Sequence, residues 1–232
     1  MNYLIEILIN IIDKIYHQRK IFDQLKKLNI SSVIDVGAHK GEFLSYLLTI
    51  KRVKEIHAFE PQKKIFDILN LSFGKNKKIF LNNKALSNKN ATRQMYLNSL
   101  SSTSTFSKIN KSSSWFKFKN FILNKKNSFQ KIKKIKTIKL DDYFKIRNIK
   151  KIDLLKIDTE GHELNVLNGA LKVFDQNKIK YLLIEVHYSD MYKNYKSTEI
   201  HSFLKNKNFK LLKRFKYPFL KFEDQLYVNI KA

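Results

Sequence analysis

No cysteine occurs among the 232 residues. That removes disulfides, Cys-ligated zinc and thiol catalysis together, and it is compatible with a reducing cytoplasm, the expected location. No apolar run is long enough to cross a bilayer. The apolar stretch Met1 to Ile12 contains Glu6, lacks a basic leader and a small-residue cleavage site, and is too short to span. Proline appears twice and glycine five times, and arginine and alanine are scarce. Lysine, asparagine and isoleucine are abundant in their place, the joint bias expected of AT-rich coding DNA. Acidic residues number 20 against 46 Lys and Arg, for a formal charge of +26. Clustered positive charge can mark contact with phosphate backbones or anionic lipid. Here the lysines are spread along the chain, and arginine, whose planar fork suits phosphate, is rare. Compositional bias is therefore the first reading of the charge and a nucleic-acid footprint the second.

What is present suffices for one large domain. Apolar residues make up 43% of the chain, with 18 Phe and 11 Tyr, so the disordered class is excluded. A chain of this length buries most of its apolar surface in a single fold. Residues 3 to 28 carry apolar side chains at helical spacing (Leu4, Leu8, Ile11, Ile12, Ile15, then Ile21, Phe22, Leu25, Leu28), which predicts one or two helices. The chain divides into an N-terminal helical extension, 1–29, and a main domain, 30–232. The extension is expected to pack on the domain or on a second copy in a homodimer; the alternative is that residues 1–28 lie on a membrane surface.

From residue 31 short β-branched runs alternate with helical patterns, the signature of βαβ units and an α/β fold with a doubly wound, mostly parallel sheet. Strands are predicted over Ser32 to Val36, Glu55 to Phe59, Lys78 to Leu81, Ile152 to Ile157 and Tyr181 to Val186. Helices are predicted over Glu42 to Thr49, from Pro61 to about Leu71, and from Glu163 to Phe174. The tail predicts a helix near Thr198 to Asn206 and strands near Lys210 to Phe215 and Leu226 to Ile230. Residues 86 to 139 break the rhythm. Met95 to Leu97 and Ile132 to Ile138 read as strands, Ser99 to Ser114 as a Ser-rich binding loop or lid, and Trp115 to Phe129 alternates aromatics with Lys.

In such sheets ligands bind beyond the carboxyl ends of the strands, where the strand order reverses. Gly37 and Gly41 after the first strand can let the backbone turn and approach a ligand, while the next helix offers free N–H groups. Glu60 follows Gly41 by 19 residues, near the spacing of an acidic residue that binds ribose hydroxyls. A nucleoside ligand is implied. The spacing is not G-x-G-x-x-G, and Asp35 would set a carboxylate where a pyrophosphate would lie, so a cationic cofactor suits the site better than NAD.

The segments Val33-Ile34-Asp35-Val36-Gly37-Ala38, Ala58-Phe59-Glu60-Pro61, Leu155 to Glu163 (LKIDTEGHE) and Ile184-Glu185-Val186-His187 resemble those of FkbM-type methyltransferases. The likeness covers about residues 30 to 190. It implies a class I, Rossmann-like methyltransferase with a seven-stranded sheet whose last strand is antiparallel, S-adenosylmethionine as methyl donor, and O-methylation, often of sugar or natural-product hydroxyls. By motif position, Asp35, Gly37, Ala38 and Gly41 are expected at the methionine end of the cofactor, Glu60 at the ribose diol, and Asn83 and Ala85 on the adenine side. Ser104 and Thr105 lie in a segment that could reach the acceptor.

Methyl transfer to an alcohol needs positioning and a base for the departing proton. Asp158, at the tip of the fourth parallel strand, is the first candidate, and His187 the second, because imidazole titrates near neutrality. Glu160, His162 and Glu163 could orient the acceptor, although Asp158, Thr159 and Glu160 precede a helix and could equally serve as caps. Glu185 inside an apolar strand is costly unless paired, which favours a site role over a structural pair with Lys. Asp158, Glu185 and His187 could together bind a divalent metal, but nothing in their spacing demands it, and no metal is expected. The acceptor is expected to be a glycan or small-molecule hydroxyl. RNA methylation is the second reading, motivated by the charge and the Lys/aromatic segment.

Overall fold

The computed structural model describes residues 17–98, 104–113, 116–117, 129–193, 195–217 and 221–232. The expectations for residues 3 to 16, for Ser101 and for most of Trp115 to Phe129 lie outside them. Strands form where apolar and β-branched residues alternate: β1 (Ser32–Val36), β2 (Glu55–Phe59), β3 (Ile79–Asn82), β4 (Ala85–Leu86), β5 (Ala91–Asn98), β6 (Phe129–Ile138), β7 (Ile152–Ile157), β8 (Ile179–His187), β9 (Phe209–Lys216) and β10 (Phe222–Asn229). The helices are α1 (Arg19–Leu25), α2 (Glu42–Thr49), α3 (Lys63–Phe73), α4 (Leu140–Ile146), α5 (Glu163–Asn168), α6 (Leu171–Asp175) and α7 (Ser197–Asn206).

Seven strands make one sheet in the order β3-β2-β1-β7-β8-β10-β9, parallel except for β10, which runs against both neighbours. This is the doubly wound, Rossmann-like sheet that the sequence predicts. The chain order reverses between β1 and β7, which opens a crevice at their carboxyl ends.

Successive residues of a strand face opposite sides, so the sheet carries two cores. Ile34, Leu155 and Ile184 pack with the α4 to α7 side, while Val33, Leu154, Leu183 and Leu226 pack with α1, α2 and α3. On this second face the pattern changes one pleat nearer the crevice. Val33 gives way to Asp35, Leu154 to Lys156, Leu183 to Glu185 and, on antiparallel β10, Leu226 to Asp224, all of them buried. Apolar side chains hold the middle of the sheet and charged ones floor its ligand end. From the N-terminal segment, Ile21, Phe22 and Leu25 of α1 join this second core, with Phe22 stacked on Tyr46 at 3.8 Å between ring centroids.

Two helices depart from the sequence reading, and the strands of the 86–139 region add to it. Residues 95–97 and 132–138 do not extend the main sheet; β5 and β6 pair antiparallel and take in β4 to make a separate three-stranded sheet. Pro61 does not open α3, which starts at Lys63 after Gln62. The helix expected over Glu163 to Phe174 is split at Gly169 and Ala170. Asp141 of α4 causes the second start: its carboxylate accepts the backbone N–H groups of Lys172 (3.2 Å) and Val173 (3.0 Å), capping α6 from another element.

Candidate active site

A cleft of about 660 Å³ lies at the carboxyl ends of β1, β2 and β7, with β4, β5 and the 104–107 segment as its far wall. One end is shaped by the turn after β1. Gly37 holds φ at +88°, and a Cβ there would stand 1.9 Å from the Asp158 carbonyl oxygen, so only glycine lets the tips of β1 and β7 come this close. The amides of Gly37 and Ala38 both donate to the Phe59 carbonyl at 3.0 Å, tying the turn to β2.

Glu60 emerges beside this turn. Its Oε2 accepts the His39 amide (3.1 Å) and its Oε1 the Gln62 amide (2.7 Å). Burial pushes its carboxyl up to about 7, against the opposing pull of those two amides. Gly37, Ala38, Glu60 and Ala85, which the motif positions assign to the cofactor, line the cleft.

Three other expected cofactor contacts fall elsewhere. Asp35 is wholly buried and does not line the cleft. Lys156 does, with its Nζ 3.4 Å from Asp35 and 3.1 Å from Asp158. Gly41, at φ +92°, is required by packing: a Cβ would strike the side chains of Phe73 and Leu69 of α3. Asn83 gives its amide to the carbonyls of Glu60 (2.9 Å) and Pro61 (3.3 Å) and so fixes the turn that carries Glu60.

The other end of the cleft is built by the loop between β7 and α5. Asp158, Glu160 and His162 line it, and Ser104 faces them, donating to Gln62 Oε1 at 3.2 Å. Asp158 is held by Lys156, whose Nζ donates to Oδ2. Burial works against the Lys156 charge, yet Asp158 and Asp35 together more than offset this and hold the ammonium above the ordinary lysine value. His162 is buried, with Nε2 3.0 Å from Ser87 Oγ; burial, with the Arg93 charge adding to it, pushes its pKa down to about 3. It is a neutral wall of the cleft rather than a charged acceptor clamp.

Glu163 and Thr105 also differ from expectation, since both shape the loop and neither lines the cleft. Glu163 Oε1 accepts the amides of Thr159 and Gly161 and the Thr159 hydroxyl, each at 3.0 Å. Thr105 donates to the Glu160 carbonyl (2.6 Å), and Ser107 to the Gly161 carbonyl (2.5 Å). The Ser-rich segment is thus latched, where described, onto the loop between β7 and α5.

Behind Glu160 lie Glu185 and His187, which do not reach the cleft wall. The His187 ring sits among Tyr192, Tyr195 and Phe222. Burial, then repulsion from Asp158 and Glu160, pushes the Glu185 carboxyl well above the usual range.

Two contributors went unnoticed in the sequence. Lys156 could have been found as a charge interrupting an apolar strand two residues before Asp158. Tyr192, whose hydroxyl donates to Glu160, sits in a loop with no local signal. For a nucleoside sulfonium the donor set fits. The glycine turn gives close backbone approach, Glu60 is a carboxylate for a diol, and Lys156 is a cation for a carboxylate. Asp35 lies beneath with both oxygens free of hydrogen bonds.

The chain matches the methyltransferase FkbM domain over residues 35–211. Comparison with curated proteins gives no match. Among solved structures it is similar to an rRNA methylase from Streptococcus thermophilus, at 11% identity over 92% of this chain and 96% of that one, with a TM-score of 0.52. It is also similar to the methyltransferase domain of bacterial CtHen1-CN, at 11% identity over 90% and 95%, with a TM-score of 0.51. A third likeness is to a protein in the NADB-Rossmann superfamily from Streptococcus agalactiae, at 11% identity over 90% and 67%, with a TM-score of 0.50. At this identity the likenesses speak for the fold.

Proposed function

The chain belongs to the FkbM methyltransferase family, and from that premise we propose that it transfers the methyl group of S-adenosylmethionine to a hydroxyl of a glycan or small-molecule precursor. The observation that carries this reading is a single cleft with a glycine turn and Glu60 at one end and the Asp158 carboxylate at the other.

When bound, S-adenosylmethionine supplies an electrophilic methyl group on a sulfonium. The Gly37-Ala38 turn would lie along it, Glu60 would accept hydrogen bonds from the ribose diol, Ala85 would pack on the adenine side, and Lys156 would meet the carboxylate. Asp158 has one oxygen committed to Lys156, which fixes its orientation and leaves Oδ1 to take the proton of an acceptor hydroxyl. A positioned base of this kind contributes roughly 10² to 10⁴ in rate. Met95 and Phe106 give the far wall its apolar surface, and Ser104 of the latched 104–107 segment borders the acceptor end.

Calorimetry with S-adenosylmethionine is expected to show micromolar binding that disappears in Glu60→Ala; no heat in either protein would defeat the cofactor assignment. Asp158→Asn should bind the cofactor normally and lose at least about 10² in turnover, and undiminished turnover removes Asp158 from the role of base. With methyl-labelled cofactor and cell extract, label is expected in glycan or small-molecule fractions. Label that is ribonuclease-sensitive, with binding that weakens steeply in salt, would replace this acceptor with RNA.

A further inference from the structure

Glu185 and His187 are two residues apart on β8, so both side chains leave the same face of the strand. Glu160 comes to meet them from the loop before α5, on a left-handed backbone at φ +53°. One ligand atom from each of the three lies within 4.8 Å of the other two. Glu185 Oε2 and His187 Nε2 are 2.9 Å apart, yet neither makes a hydrogen bond. Both residues are deeply buried, at 9% and 5% exposure.

Buried polar atoms without hydrogen bonds are destabilising, and these two meet at ion-pair distance without the geometry of a hydrogen bond. Among the described residues, the charges that bear most on Glu185 are all acidic. Glu163 Oε2 is also without a hydrogen bond, Asp158 and Asp224 stand nearby, and Lys156 is engaged by Asp35 and Asp158. In a chain of net charge +26, acidic groups are concentrated at this one point behind the cleft. A separation of 2.9 Å matches neighbouring ligands on a six-coordinate divalent ion, which at about 2.1 Å from the metal lie roughly 3 Å apart.

We propose that Glu160, Glu185 and His187 form a binding site for a divalent cation, with two carboxylates and one imidazole as ligands. That donor set is of intermediate hardness and suits Mn²⁺, with Mg²⁺ and Zn²⁺ as competitors. Tyr192, donating to Glu160 Oε2, orients the carboxylate as outer partners of metal ligands do. Three protein ligands leave positions open, and Glu160 also lines the cleft beside Asp158. Resting on the reading given under Proposed function, the cation would hold the acceptor hydroxyl and make it more acidic, its proton passing to Asp158.

The test uses the whole protein after chelator treatment, titrated with Mn²⁺ and followed by loss of the free-ion electron paramagnetic resonance signal. One equivalent is expected to bind, displaced by Zn²⁺, with affinity falling at least tenfold in both Glu185→Gln and His187→Gln. Calorimetry with S-adenosylmethionine checks that each variant is folded, since neither residue touches the cofactor end of the cleft. No uptake by the native protein at millimolar Mn²⁺, or uptake unchanged in both variants, overturns the site. The two proposals fail separately. Mn²⁺ binding without hydroxyl methylation would leave the cation site standing and remove the acceptor assignment. Hydroxyl methylation at full rate in chelator, with no Mn²⁺ bound, would do the reverse.

Discussion

Lys156 has side-chain exposure of 11% between Asp35, with none, and Asp158. An ion pair this deep adds little stability over an apolar pair, but removing one partner strands the other charge, typically at about 3 to 5 kcal/mol. Lys156→Met should therefore destabilise the fold by about that amount in chemical denaturation, because Asp35 loses the only ion-pair partner it has among the described residues. Adding Asp35→Asn to Lys156→Met should recover part of the loss. Equal stability of the single and double variants would show that Asp35 is not held by Lys156. The same reasoning explains why Asp35 was misplaced in the sequence reading. Its position in the motif is right, but a carboxylate at the end of a strand can point to a ligand or to a buried cation, and the chain alone does not say which.

At the scale of elements, helix starts were legible to within a residue or two where the apolar periodicity itself begins, as at Glu42 and Ser197. They were illegible where the cap comes from elsewhere. Nothing between Glu163 and Phe174 marks a firm break except Gly169, whose missing Cβ leaves room for the Ser87 carbonyl; an added Cβ would lie 2.1 Å from it. The carboxylate that restarts the helix by accepting its first amides, that of Asp141, lies some thirty residues upstream. Asp141→Ala should cost about 1 kcal/mol, within the 0.5 to 2 range of lost caps, read as a lowered denaturation midpoint at unchanged slope. A neutral result would mean that α6 starts without Asp141. The small sheet was missed for a similar reason: its strands have ordinary periodicity, and periodicity does not say which sheet a strand joins.

For the whole molecule, two buried groups set opposite pH dependences. The folded pKa of Glu60 is raised from 4.5 to about 7, so the folded chain holds more protons than the unfolded one between those values. Its contribution to stability is full below 4.5 and is lost as pH rises through about 7. The folded pKa of His162 is lowered from 6.5 to about 3, so its contribution is full above 6.5 and is lost as pH falls towards 3. Each slope approaches about 1.4 kcal/mol per pH unit. Between pH 4.5 and 6.5 the two cancel, and below 4.5 only the His162 loss remains. His162→Gln should remove that acid limb, so that denaturation between pH 4.5 and 6.5 shows the variant gaining stability on acidification relative to the native protein, by up to about 1.4 kcal/mol per pH unit. Parallel profiles would exclude His162 as the source.

The chain by itself determined the parallel strands, their order of charge and apolarity, the glycine turn and the placing of Asp158 at a strand tip, because these depend on alternation and on contacts within a few residues. It also placed Glu185 and His187 on one face, since a spacing of two leaves no other choice in a strand. Only the tertiary structure decided that Asp35 is covered by Lys156, that Glu163 and Thr105 hold the loop, and that Glu160 meets Glu185 and His187 behind the cleft. Those outcomes require strands and loops far apart in the chain to be brought side by side, and the energy of a buried charge depends on what lies within a few ångströms of it in space.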